Sequence, residues 1–234
     1  DPWSALPPDS YVRWLAALNP DWPMPGWARG EYYAWTFTGL PRTENEALLG
    51  ADGAVAPWSA ASNTVLAMYD PETGMLSAPK PTFSLLDGSL PIPKADWTMA
   101  GLQVRTVLFR EPDGEGVRWQ ATVRNETDSP KEATLLAMVR PLAFNPAMHA
   151  AYSAGLDGQG RLWVNGQPYL QAAPAPARSG VATLAEVLTA AGAGRVPTVR
   201  NLPCAPTGEA AAALAFPLQL GAGEVYELTL SFPA

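Results

Sequence analysis

The chain has 234 residues, a length that all-β sandwiches reach as one unit, and its 47% apolar content suffices for a sizeable core, which excludes a disordered tail. Only 16% of residues are charged and the formal net charge is −7, which excludes nucleic acid or an anionic membrane as the main partner because both require a basic footprint. No apolar run approaches the roughly 18 residues that span a bilayer, a single cysteine (Cys204) excludes an intrachain disulfide framework, and a single histidine (His149) leaves no His/Cys zinc cluster.

The chain opens on Asp1 rather than Met, with no charged n-region and no apolar signal core behind it, so either a leader has been removed or this is a piece cut from a longer polypeptide, the reading that the resemblance below favours. Its one cysteine is compatible with any compartment, cytoplasmic or secreted.

Residues 1–60 form a Trp/Pro-rich segment holding six of the nine tryptophans. A short helix is expected there, capped by Asp9 or Ser10, with Tyr11, Trp14, Leu15 and Leu18 on one apolar face. Asn19-Pro20 ends it, since proline cannot donate to the helix ladder and crowds the residue before it. A Pro/Trp loop over 20–30 then leads into a strand expected over Tyr32 to Thr38.

Beyond about residue 60 the apolar period changes to two. Leu102, Val104, Thr106 and Leu108 alternate with Gln103, Arg105, Val107 and Phe109, and Val117, Trp119, Ala121 and Val123 alternate with Arg118, Gln120, Thr122 and Arg124. Further strands are expected at 64–69, 82–86, 133–139, 162–164, 213–218 and 225–232. Gly, Asn and Asp turns separate them, and Trp163 to Leu170 reads as one hairpin about Asn165-Gly166. One helix interrupts the series: Thr183 and Glu186 form a capping box, Leu184, Val187, Leu188 and Ala191 a buried stripe, and Gly192 a C-cap. Residues 172–180 read as a low-complexity connector too short to separate domains. The expected architecture is all-β, an antiparallel sandwich with one or two short helices, as a single domain over 1–234.

Chemistry is harder to find. Glu111, Asp113 and Glu115 alternate as a strand-borne carboxylate set would, but Pro112, Gly114 and Gly116 turn the run into a solvated hairpin loop. Glu44 and Glu46 read as surface charge. Nucleophilic catalysis needs a base beside Ser or Cys, and neither a Gly-x-Ser-x-Gly elbow nor a second histidine accompanies His149. Cys204, between Pro203 and Ala205, reads as a small buried apolar residue. Asn125-Glu126-Thr127 fits a glycosylation sequon. No phosphate-binding loop, metal set or cofactor motif emerges.

The tryptophans divide. Trp14, Trp119 and Trp163 are assigned to the core. Trp22, Trp27 and Trp35 stand among prolines, where a rigid indole can meet a sugar ring or another domain.

Three stretches occur together: Leu86-Asp87-Gly88-Ser89-Leu90-Pro91-Ile92-Pro93, Arg140-Pro141-Leu142-Ala143-Phe144-Asn145-Pro146, and Arg161-Leu162-Trp163-Val164-Asn165-Gly166. With the strand Arg118 to Asn125 running toward Pro130 and the closing Leu220 to Leu228 segment, they resemble the β-supersandwich domain of large bacterial proteins. There it precedes a six-hairpin (α/α) glycosidase-like domain and is similar in fold to galactose mutarotase. The similarity covers residues 45–234. It implies a non-catalytic partner domain of a carbohydrate-active, glycoside hydrolase-like protein, with the C-terminal (α/α) domain of the same polypeptide as partner and oligo- or polysaccharide as a further one. No catalytic residue carries over. The segment from Arg140 through Asn145 and on to His149 is expected to approach the neighbouring domain, although Ala147-Met148-His149 departs from the family pattern. The alternatives are an independent carbohydrate-binding module built on Trp22, Trp27 or Trp35, and a mutarotase-like sugar epimerase working through His149.

Overall fold

The structure is a computed structural model, and it describes residues 10–20, 34–38, 46–57, 60–110, 116–142 and 150–233. Its architecture is all-β: two antiparallel sheets packed face to face, with two short helices.

The first sheet has eight strands. β1 (Ala34–Thr38), β2 (Ala47–Gly50), β3 (Val55–Pro57) and β4 (Asn63–Asp70) follow one another, and β5 (Met75–Ser77) folds back on β4. The sheet continues through β10 (Lys131–Arg140) and β16 (Ala210–Leu220) to β14 (Arg178–Thr183). The second sheet has nine: β6 (Thr82–Leu86), β7 (Leu90–Met99), β8 (Leu102–Phe109), β9 (Val117–Asn125) and β17 (Val225–Phe232) run from one edge inward. β13 (Gln167–Ala173), β12 (Leu162–Val164), β11 (Ala154–Leu156) and β15 (Asn201–Leu202) complete it.

The two sheets bury differently. In the second, alternate residues of β8 and β9 enter the core, Leu102, Val104, Thr106 and Leu108 opposite Asn125, Val123, Ala121 and Trp119, as the period-two pattern predicts. The first sheet is covered on both faces. Leu66, Ala137 and Leu214 share a row facing the second sheet, while Val65, Met138 and Ala213 share the next row on the opposite face. There they meet Leu15 and Ala16 of α1 (Ser10–Leu18) and Leu184, Val187, Leu188 and Ala191 of α2 (Leu184–Gly192). The alanines at 211, 213 and 215 keep this face shallow, which lets α2 lie close against it. Double-sided burial is why β10 and β16 read as continuous apolar runs rather than alternating ones.

α2 starts as expected: Glu186 N–H donates to Thr183 Oγ1 at 3.5 Å, and Thr183 N–H donates to Glu186 Oε2 at 3.0 Å. It ends differently. Gly192 is the last helical residue and Ala193 the cap, while Gly194 takes the left-handed φ of +66° that closes the turn.

Other expectations are corrected. Trp14 is 57% exposed and Leu18 58%, because α1 turns Leu15 and Ala16 to the sheet instead. Trp119 is core, but Trp163 is only half-buried. Cys204 is exposed rather than buried, since it sits on an irregular stretch after the edge strand β15. The 172–180 stretch is largely strand, split between β13 and β14. β7 is present despite Pro91 and Pro93, which fall on the part that pairs only with the edge strand β6; pairing with β8 begins at Lys94. The alternating Glu111, Asp113 and Glu115 lie outside the described residues, as does Glu44.

Candidate functional site

β10 ends at Arg140, directly opposite Asn63 at the start of β4. The register carries the Arg140 side chain into the protein, where it is fully buried. Arg140 Nε donates to Asn63 Oδ1 at 2.8 Å and Nη2 donates to Asp52 Oδ2 at 3.1 Å. Asp52 belongs to the tight β2–β3 turn, closed by Gly53 at a φ of +75°, and its other oxygen accepts the Ala54 N–H at 3.1 Å. Asn63 also donates, through Nδ2, to the Leu142 carbonyl at 2.7 Å. The exit of β10 is thus fastened by one charged and one amide side chain.

Burial lowers the Arg140 pKa, and the Asp52 carboxylate opposes that effect. A guanidinium holds its proton in either case, so the pair is a fixed charge couple and not an acid or base. Charge-assisted bonds of this kind make good anchors when every donor has a partner.

Tyr169 of β13 stands beside this cluster. Its hydroxyl donates to the Ser62 carbonyl at 3.1 Å and lies 3.2 Å from Thr64 Oγ1. Burial pushes its phenol above the usual tyrosine range, with the Thr64 hydrogen bond and the Arg140 charge acting the other way. Its ring meets Phe232 edge-on at 5.8 Å. Tyr169 also lines a depression of about 390 Å³, together with Pro57, Ala60, Ala61, Gln167, Pro168 and Pro233 among the described residues. Asn165 on its rim is occupied: Oδ1 accepts the N–H groups of Tyr152 and Ser153, and Nδ2 donates to the Ala150 carbonyl. Among the described residues the lining of the depression joins proline and alanine surfaces to the polar side chains of Gln167 and Asn165.

Elsewhere the ionised groups serve turns and strands. Asp157 accepts the N–H groups of Gln159 and Arg161 and the Arg161 Nε at 2.7 Å, and that ion pair above all holds its carboxyl down at about 2. Asp96 on β7 takes Arg105 Nε at 2.7 Å and Lys94 Nζ at 3.3 Å. The sequon asparagine, Asn125, is fully buried. It donates to the carbonyls of Ser129, Leu220 and Gly221 and accepts from the N–H and hydroxyl of Thr127. Among the described residues no group of His, Cys, Asp and Glu could hold a metal, and no helix is long and apolar enough to cross a membrane.

Of the residues singled out from the sequence, Arg140 is the one whose side chain is described, and it is paired inward. Trp22, Trp27, Asn145 and His149 lie outside the described residues. Trp35 lies on β1, with its side chain likewise outside them. Asp52, Asn63 and Tyr169 were missed. Asp52 looks like any turn acid in Gly50-Ala51-Asp52-Gly53, and nothing local links Asn63 or Tyr169 to an arginine 77 and 29 positions away. Compared with known proteins, no family model and no curated sequence matches this chain.

Proposed function

We propose that this chain is a non-catalytic accessory β-sandwich of a carbohydrate-active protein, one that braces a helical glycosidase-like partner domain of the same polypeptide. The observation that carries this reading is the fastening of Arg140. Its charge is committed to Asp52 and Asn63, and Asn63 in turn holds the Leu142 carbonyl, so the chain leaving β10 is anchored to the sandwich as far as Leu142. An anchored exit suits a segment that must present a fixed surface to a neighbour. The all-β sandwich is in keeping with the resemblance to supersandwich domains. So are the tight β6–β7 turn at Asp87-Gly88 and the β12–β13 turn at Asn165-Gly166, both left-handed pairs within the resembling stretches.

Hydrogen exchange tests the reading. The chain by itself is compared with the full natural polypeptide from which it is read. Amides of 141–150 gain protection in the longer polypeptide if they face a neighbour; identical exchange in both contradicts the proposal.

A further inference from the structure

Five Asx-Gly pairs occur in the chain: Asp52-Gly53, Asp87-Gly88, Asp113-Gly114, Asp157-Gly158 and Asn165-Gly166. Glycine has no side chain to shield its own amide, so at such a pair the backbone nitrogen can reach the side-chain carbonyl carbon of the residue before it. What holds that side chain decides whether the two meet.

Three of the pairs are held shut. The Asp52 carboxylate accepts from Arg140 Nη2 at 3.1 Å and from the Ala54 N–H at 3.1 Å, and a Cβ at Gly53 would touch Pro81 at 3.5 Å. Asp157 Oδ1 accepts the Gln159 and Arg161 N–H groups at 2.8 and 2.9 Å, and Oδ2 takes Arg161 Nε at 2.7 Å. Asn165 uses both ends of its amide: Oδ1 accepts the Tyr152 N–H at 2.7 Å and Nδ2 donates to the Ala150 carbonyl at 2.8 Å. Asp113 lies outside the described residues.

Asp87-Gly88 differs from all three. It is the left-handed turn between β6 and β7, with φ of +51° at Asp87 and +74° at Gly88. Both residues are exposed, as is Ser89 after them, and a Cβ at Gly88 would meet nothing within 4 Å. The Asp87 carboxylate makes no hydrogen bond or ion pair with any described residue. The Gly88 N–H donates to the Leu85 carbonyl at 3.1 Å, a bond inside the turn itself, so no other element has to move to release the nitrogen.

We propose that Asp87 is a modification site, the place where this chain forms isoaspartate spontaneously. The Gly88 nitrogen attacks Cγ of the protonated Asp87 carboxyl. The N–Cγ bond forms, the Cγ–OH bond breaks, and the hydroxyl leaves as water with the amide proton, which gives a cyclic imide. Water then adds back. Opening at Cγ restores aspartate, and opening at the Asp87 main-chain carbonyl carbon leaves the chain running through Cγ with the carboxylate on Cα. Nothing is oxidised or reduced, and the mass is unchanged. The extra methylene then sits in a turn where the Ser89 N–H reaches the Leu86 carbonyl at 3.3 Å and Leu86 pairs with Leu90. Among the described residues β6 is an edge strand paired only with β7, so the change loosens β6 and leaves β8 and β9 paired.

Storage of the purified chain at neutral pH and body temperature tests this. Electron-transfer fragmentation of its peptides distinguishes isoaspartate from aspartate, and enzymatic methylation of isoaspartyl carboxylates measures the total. Isoaspartate at Asp87 should exceed that at Asp52 or Asp157 by about tenfold or more, since those carboxylates must first break charge-assisted bonds. Asn165 should show no deamidation. In the aged chain the amides of β6 should exchange faster with deuterium, and those of β8 and β9 should not change. The variant Asp87→Asn keeps a residue tolerant of the left-handed region and should deamidate at 87 well ahead of Asn165 in the same molecule. In chain unfolded by urea the contrast between Asp87 and Asp157 should vanish; a contrast that persists there comes from local sequence and overturns the role given to the fold. No conversion at Asp87 in the folded chain overturns the site, and equal conversion at Asp87 and Asp157 overturns the protection assigned to the bonded carboxylates.

Discussion

Arg140 Nε and Asn63 Oδ1 lie 2.8 Å apart in a place no solvent reaches, joining the end of β10 to the start of β4. Asp52 completes the set from a turn 88 residues before the arginine. Removing one member of such a buried pair leaves an uncompensated charge. Asp52→Ala should therefore destabilise the fold by about 3–5 kcal/mol in denaturant unfolding. Arg140→Met combined with Asp52→Ala should cost distinctly less than the sum of the two single changes. Simple additivity would show that the pair does not act as a unit.

Asn125 is a closed latch at the sheet corner. Three carbonyls accept from its one amide group, so Asn125→Ala strands several buried acceptors and should lower stability by about 2–4 kcal/mol. Its burial also predicts that the folded chain is not glycosylated there when passed through a glycosylating secretory host. An intact-mass shift assigned to Asn125 would contradict this burial.

Asp157 sets an acid limb. Its carboxyl titrates at about 2 in the folded chain against an ordinary 3.8, so its contribution to stability is present above 3.8 and is lost as the pH falls through 2. Glu186 is lowered as well, by the Thr183 N–H and hydroxyl, and acts with the same sign. Carboxyl-detected NMR titration should place Asp157 near 2. In Arg161→Ala the value should move back toward 3.8; an unmoved value would mean that the ion pair is not the cause.

Gly180 lies where β14 is covered by the stretch before β15. A Cβ there would collide with the Pro197 carbonyl, backbone against side chain, with no flexible end to give way. Gly180→Ala should cost about 1–3 kcal/mol even though the residue has an ordinary φ, and thermal unfolding reads it directly.

How much of this was legible in the sequence follows from how far apart the interacting groups are. β9 announces itself because Val117, Trp119, Ala121 and Val123 face one core and their neighbours face solvent. α2 does too, since Thr183 and Glu186 are three residues apart and meet locally. β16 hides its alternation because both of its faces are buried, Ala213 toward α2 and Leu214 toward the second sheet. Trp14 was misplaced for a related reason. A helical stripe shows which residues share a face, yet it does not say where a sheet will receive it, and α1 is received along Leu15 and Ala16. The Arg140 cluster was invisible: an arginine closing a strand reads as solvated, and its partners come from β4 and a turn far upstream.

The most direct measurement is turnover by the purified 234-residue chain on a panel of oligosaccharides and reducing sugars, followed for both bond cleavage and anomer exchange. A bracing sandwich yields rates equal to the uncatalysed background on every substrate. Turnover above background that disappears in His149→Ala would place the chemistry within this chain and contradict the accessory role.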